Sequence, residues 1–203
     1  DDLADICAWC VRHGVRLIMD EIYHGLTYGG RGTTALKFNQ NAIIINSFSK
    51  YFCMMGWRLG WVILPDDLVD NAEKIAQNLF ISAPTPNQYG AIEAFDCYDE
   101  FDAHLPRYQD NRDRLLAELP AEFLGQHAPA NGAFYLYVDI GAFSNNADDF
   151  ARRMLLEAGV AVTPGTDFDQ TEGGRYLRLS YAGSSRTITT AIDRINDWLP
   201  TMI

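Results

Sequence analysis

Short apolar runs rich in β-branched residues alternate along this chain with longer stretches whose apolar residues recur at helical spacing. Residues 15–19, 42–45 and 59–64 each read as a buried strand, the last closed by Pro65. A helix is predicted over 2–13, with Leu3, Ile6 and Val11 on its apolar side and Gly14 as its stop. Asp66 is expected to cap a helix that carries Leu68, Val69, Ala72, Ile75, Ala76 and Leu79 on one face. Pro84-Thr-Pro-Asn-Gln88 signals another helix start: Thr85 as cap, Pro86 in the first turn, Gln88 completing a capping box. Tyr89, Ile92 and Phe95 ride on that helix. A charged and mostly helical stretch follows over 98–119, interrupted at Pro106. Beyond it, strands are predicted at 133–140, 160–163 and 175–181, with a helix over 147–158 that Gly159 closes. Ser184 or Ser185 caps a last helix, with Ile188, Ala191, Ile192, Ile195 and Trp198 on one face.

Strands alternating with helices place the first half in the α/β class, and the last third reads as a smaller α+β unit. With 203 residues there is ample material for a core, in one large domain or two small ones. The formal net charge of −11 argues against nucleic acid or anionic membrane as a partner, since both reward clustered Lys and Arg. No apolar run approaches the length of a membrane span, and no signal-peptide pattern opens the chain, so a soluble cytoplasmic protein is expected. Cys7-Ala-Trp-Cys10 is formally a C-x-x-C, but it lies inside the first helical pattern without a second pair or neighbouring histidines. Buried helix thiols are the expectation, with no disulfides. His13, His24, His104 and His127 show no metal-ligand spacing, and no metal is expected. The glycine-rich stretch 27–33 lacks the strand-to-helix setting of a phosphate cradle and reads as a turn.

Polar groups sit at the ends of the first strands. Asn46-Ser-Phe-Ser-Lys50 follows the second strand, and Gly56-Trp-Arg58 leads into the third. A packed core does not accept two hydroxyls, an amine and a guanidinium unless a ligand or partner satisfies them. Such a set suits a phosphate and an electrophilic carbon. The first strand ends in Asp20, which could pair with a protonated heteroaromatic nitrogen, and Tyr23 could donate to a neighbouring oxygen.

Asp20-Glu-Ile-Tyr23, Ser47-Phe-Ser-Lys50 and Gly56-Trp-Arg58-Leu-Gly60, in this order, resemble the signature of fold-type I pyridoxal-phosphate aminotransferases of class I/II. Tyr176-Leu-Arg178-Leu-Ser-Tyr-Ala182 resembles that family's substrate-carboxylate strand. The resemblance implies a mostly parallel sheet flanked by helices, the truncated large cofactor-binding domain over 1–105, and an interdomain helix with the small domain over 106–203. It implies pyridoxal 5′-phosphate as cofactor, held as a Schiff base by Lys50. Asp20 would face the pyridine nitrogen and Tyr23 the ring oxygen, Ser47, Ser49 and Arg58 the phosphate, and Arg178 the substrate carboxylate. The activity implied is amino transfer between an amino acid and a 2-oxo acid, in a homodimer. Another reaction on the same cofactor, such as C–S lysis or decarboxylation, and a non-catalytic aminotransferase-like sensor are the competing expectations. The likeness covers the C-terminal half of such a chain. With no initiator Met and a helix beginning at once, a fragment is expected, with an unpaired sheet edge and apolar surface exposed.

Overall fold

In the computed structural model, which describes residues 2–202, α1 (Asp2–His13) ends at Gly14, whose backbone is left-handed at φ +63°. The Val15 amide closes the helix on the Cys10 carbonyl, 2.9 Å away. That bond takes Val15 out of the first strand, which is therefore shorter than its apolar run: β1 (Ile18–Asp20). It pairs in parallel with β2 (Ile43–Ser47), and β2 pairs antiparallel with β3 (Gly60–Ile63), in the order β1-β2-β3. Cys7, Ala35, Ala42 and Ile44 form a buried cluster beneath this sheet, with Leu17 and Met19 packed against it. Cys7 and Cys10 are free thiols on the inner face of α1. Burial pushes the Cys7 thiol up from its ordinary pKa, and the neighbouring Cys10 adds to the shift.

Three helices complete this unit: α2 (Asp66–Leu79), α3 (Thr85–Ala94) and α4 (Tyr98–Asp102). Both expected caps differ from the structure. Pro65 and Pro84 occupy the cap positions, and neither helix start has a side-chain cap. Asp66 and Thr85 are instead the first helical residues, because the extended backbone of each proline already sets the entry. Gln88 donates to the Ala83 carbonyl at 2.7 Å rather than closing a capping box. The apolar face of α2 is present, but none of the helix is buried: Ile75 is 60% exposed and Leu79 76%. On α3, Ala91 and Ala94 face inward, while Tyr89 and Ile92 are exposed.

The chain divides into two compact units, which meet in sequence at Asp102 and Ala103. In the second, α5 (Leu105–Glu118) carries Pro106 in its first turn, so the helical break falls at Ala103-His104 and the proline starts a helix rather than interrupting one. There follow α6 (Ala121–Leu124), β4 (Tyr135–Asp139), α7 (Ala147–Arg153), β5 (Thr163–Pro164), β6 (Tyr176–Ser180) and α8 (Ser185–Trp198). A single π-helical turn, Met154–Ala158, extends α7 to Gly159. The sheet order is β4-β6-β5, antiparallel throughout. One sheet face, Leu136, Val138, Leu177 and Leu179, is buried, as is the inner face of α8, Ile188, Ile192, Ile195 and Trp198. Ser184 is the cap of α8, accepting from the Thr187 amide at 3.1 Å. Buried Asn111 donates from α5 to the carbonyls of Tyr181 and Gly183, both at 3.0 Å, and ties that helix to the exit of β6.

Candidate cofactor site

Parallel pairing puts the C-terminal ends of β1 and β2 at one edge of the first sheet. The antiparallel partner β3 starts there, with Gly60 opposite Ser47. Asp20, Ser47 and Arg58 are therefore delivered to the same edge, the place where open α/β sheets hold ligands.

Asp20 is the last residue of β1, and its Oδ1 accepts the Ile22 amide at 3.0 Å, which fixes the carboxylate in a turn. Glu21, buried, anchors the same turn. Its Oε1 accepts the Ala35 amide at 2.9 Å, its Oε2 lies 3.2 Å from His24 Nδ1, and its own amide donates to the Ile45 carbonyl at 2.8 Å. Tyr23 is half-buried on this turn, with Lys50 Nζ 5.9 Å from its ring centre.

The segment between β2 and β3 folds back on itself. Phe48 donates its amide to Leu59 O at 3.1 Å, and Met54 donates to Phe48 O at 3.0 Å. Phe48 and Phe52 pack with Trp61 and Phe95, so the loop carries its own aromatic floor. Tyr51, next to Lys50, is buried and donates to Asp102 Oδ1 at 2.6 Å. Burial first, then that hydrogen bond, pushes the Tyr51 phenol well above its ordinary range. Above this floor Ser47 Oγ donates to Ser49 Oγ at 3.0 Å and also accepts the Ser49 amide at 3.0 Å. Arg58 Nη1 lies 3.5 Å from Ser49 Oγ and donates to Met55 O at 3.1 Å. Arg58 is left-handed at φ 51°, ψ 50°, and among the described residues it pairs with no carboxylate. Gly60 is required by the closeness of the strands: a Cβ there would stand 2.6 Å from Asn46 O.

Ser49 thus links Ser47 and Arg58, and Lys50 lies near Tyr23. Two hydroxyls and a cation without a carboxylate fit a phosphate, and a carboxylate at the end of β1 fits a protonated ring nitrogen. The donor set suits pyridoxal phosphate.

Arg178 belongs to the second unit. Period-two alternation sends Leu177 and Leu179 into the core and Arg178 to the other face, opposite Tyr137 on β4 and Thr163 on β5. Its Cζ lies 4.3 Å from the Tyr135 ring centre and 4.5 Å from that of Phe168. Nη2 is 3.5 Å from Thr163 Oγ1, and Nε is buried without a hydrogen-bond partner among the described residues. Arg175, the residue a register error would substitute for it, is spent on Asp139, with Nη2 to Oδ2 at 2.7 Å and Nε to Oδ1 at 3.1 Å. Burial pushes the Asp139 carboxyl up, but the Arg175 guanidinium and the Gly141 amide outweigh it and hold it below the usual carboxylate range. Sequence reasoning passed over Glu21, Tyr135 and Phe168. The alternation Tyr135-Leu-Tyr137-Val already marked a second strand face that a core would not use.

The model of the family aminotransferase class I and II matches residues 1–195. The valine–pyruvate aminotransferase of Mycobacterium tuberculosis is 42% identical over 204 residues, which cover 98% of this chain and 53% of that protein. The (5-formylfuran-3-yl)methyl phosphate transaminase of Methanocaldococcus jannaschii is 39% identical over 187 residues, 90% of this chain and 50% of that one. The crystal structure of an aminotransferase from Mycobacterium tuberculosis superposes with a TM-score of 0.93 at 41% identity, over 98% of this chain and 52% of its own. A Thermus thermophilus aspartate aminotransferase mutant superposes with a TM-score of 0.87 at 31% identity, over 97% and 52%. The chain spans about half the length of the curated relatives it matches.

Proposed function

We propose that this chain, which belongs to the class I and II aminotransferases, is the part of such an enzyme that holds pyridoxal phosphate and the substrate carboxylate. The whole protein then moves an amino group from an amino acid to a 2-oxo acid. The observation that carries this reading is that Ser49 Oγ meets both Ser47 Oγ and Arg58 Nη1 at the sheet edge that also receives Asp20. When bound, the cofactor supplies an electron sink that acidifies the hydrogen on the carbon bearing the amino group. Lys50 Nζ would hold the cofactor, and its free amine would accept that proton. Asp20 keeps the ring nitrogen protonated, Tyr23 donates to the ring oxygen, and Ser47, Ser49 and Arg58 grip the phosphate. Arg178 takes the substrate's α-carboxylate.

Residues 1–105 form the cofactor-binding portion in this reading, and 106–203 the small domain. The enzyme works as a homodimer in the cytoplasm, in amino acid metabolism. The exposed apolar face of α2 is in keeping with a partner surface, and among the described residues no helix is long and apolar enough to cross a membrane. The name of the mycobacterial relative makes valine and pyruvate the first pair to test.

The test uses the full-length protein loaded with pyridoxal phosphate. Formation of a new amino acid and a new 2-oxo acid is expected, and Lys50→Ala is expected to lower turnover by at least about 10²–10⁴-fold. Release of ammonia in place of transfer, or normal turnover in the Lys50 variant, refutes it.

A further inference from the structure

The aromatic pair around Arg178 has a role of its own. On β4, Tyr135 and Tyr137 share the face opposite to Leu136 and Val138, and Arg178 stands across from Tyr137 on β6. Tyr135 is then the diagonal neighbour of Arg178, within reach of a long side chain. Phe168 arrives from a different direction. The turn Gly165–Asp167 follows β5, and the Phe168 amide donates to the Gly165 carbonyl at 2.9 Å. That turn is tightly seated, since a Cβ on Gly165 would come within 2.5 Å of Gly173 O. Phe168 also meets the Tyr137 ring edge-on, with centroids 6.3 Å apart. The guanidinium carbon therefore has one ring centre at 4.3 Å and another at 4.5 Å, within cation–π range of both.

We propose that Phe168 and Tyr135 are positioning residues that hold the Arg178 guanidinium so that its donor edges meet a planar carboxylate. The inference rests on the reading of Arg178 as the carboxylate site and adds what keeps that site ready. A guanidinium donates only in its plane, so attraction to a nearby ring centre takes up none of its hydrogen bonds. They restrict a side chain that otherwise loses much rotamer freedom on binding. The contact of Nη2 to Thr163 is long, and buried Nε has no partner among the described residues. Phe168 is 52% exposed, so it adds little to the core, and its replacement tests orientation rather than folding.

The experiment measures kcat and KM for L-valine and pyruvate in the full-length, cofactor-loaded enzyme. In parallel, 3-methylbutanoate, a carboxylate that cannot react, is titrated calorimetrically. Phe168→Leu is expected to raise KM and the 3-methylbutanoate Kd about tenfold with kcat within about twofold, and Phe168→Tyr to restore both. Tyr135→Leu is expected to do the same. Unchanged KM and Kd in Phe168→Leu, alongside weakened carboxylate binding in Arg178→Lys, overturns the positioning role and leaves the carboxylate site standing. A loss confined to kcat also overturns it. If Arg178→Lys leaves carboxylate binding intact, the reading of Arg178 itself falls.

Discussion

Arg58 keeps its backbone at φ 51°, in the left-handed region that costs an L residue about 1–2 kcal/mol. Such strain persists where surrounding structure imposes it, and the gain here is a guanidinium held beside Ser49. Arg58→Gly should therefore leave thermal stability unchanged or slightly raised while weakening pyridoxal phosphate binding at least about tenfold, as read by titration of the full-length apoprotein. A protein that loses stability and keeps its affinity would contradict the assignment. At Asp139 the folded carboxyl titrates below its unfolded value of about 3.9, so its contribution is complete above that pH and is lost as pH falls through the folded value. Urea unfolding should accordingly show wild type ahead of Asp139→Asn at pH 7, with the gap closing below about pH 4. Position along the chain was legible where a residue stands in a motif: Asp20 ends β1, Lys50 lies in the turn after β2, and Arg58 lies just ahead of β3. Glu21 and Phe168 were not, since a buried carboxylate and a half-exposed ring announce themselves only through what they touch.

Among elements, α2 and α8 have the same written pattern and opposite fates. Both carry an apolar face at helical spacing, yet that of α8 is buried and that of α2 is open. Periodicity says which side of a helix is apolar and nothing about what covers it, so the helices were legible and their burial was not. Ile192→Ala should cost about 2–5 kcal/mol, because it hollows a packed interior. Ile75→Ala in the same chain should stay within about 0.5 kcal/mol. Denaturant midpoints of the two variants check the contrast, and equal losses would mean that α2 is covered. Helix and strand boundaries were less legible for a related reason. The Val15 amide serves α1, and Pro65 and Pro84 take the cap positions, and neither fact is written in the apolar rhythm.

At the scale of the whole molecule, exposed apolar area and a net charge of −11 act against each other. Apolar faces such as that of α2 favour association, while like charge keeps copies apart until salt screens it; the Debye length falls from about 30 Å at 0.01 M to about 3 Å at 1 M. The 203-residue chain alone is expected to be inactive and to self-associate more strongly as ionic strength rises, as followed by sedimentation velocity. A monomer at every salt concentration would show that the open faces need no cover. The strand β6 carries a different lesson. It turns leucines to the interior and an arginine to the opposite side on one pleat, so inserting or deleting a single residue there would drive the guanidinium inward and the leucines out. Lineages of this protein are thus expected to diversify along 176–180 by exchange at alternate positions, never by change of length.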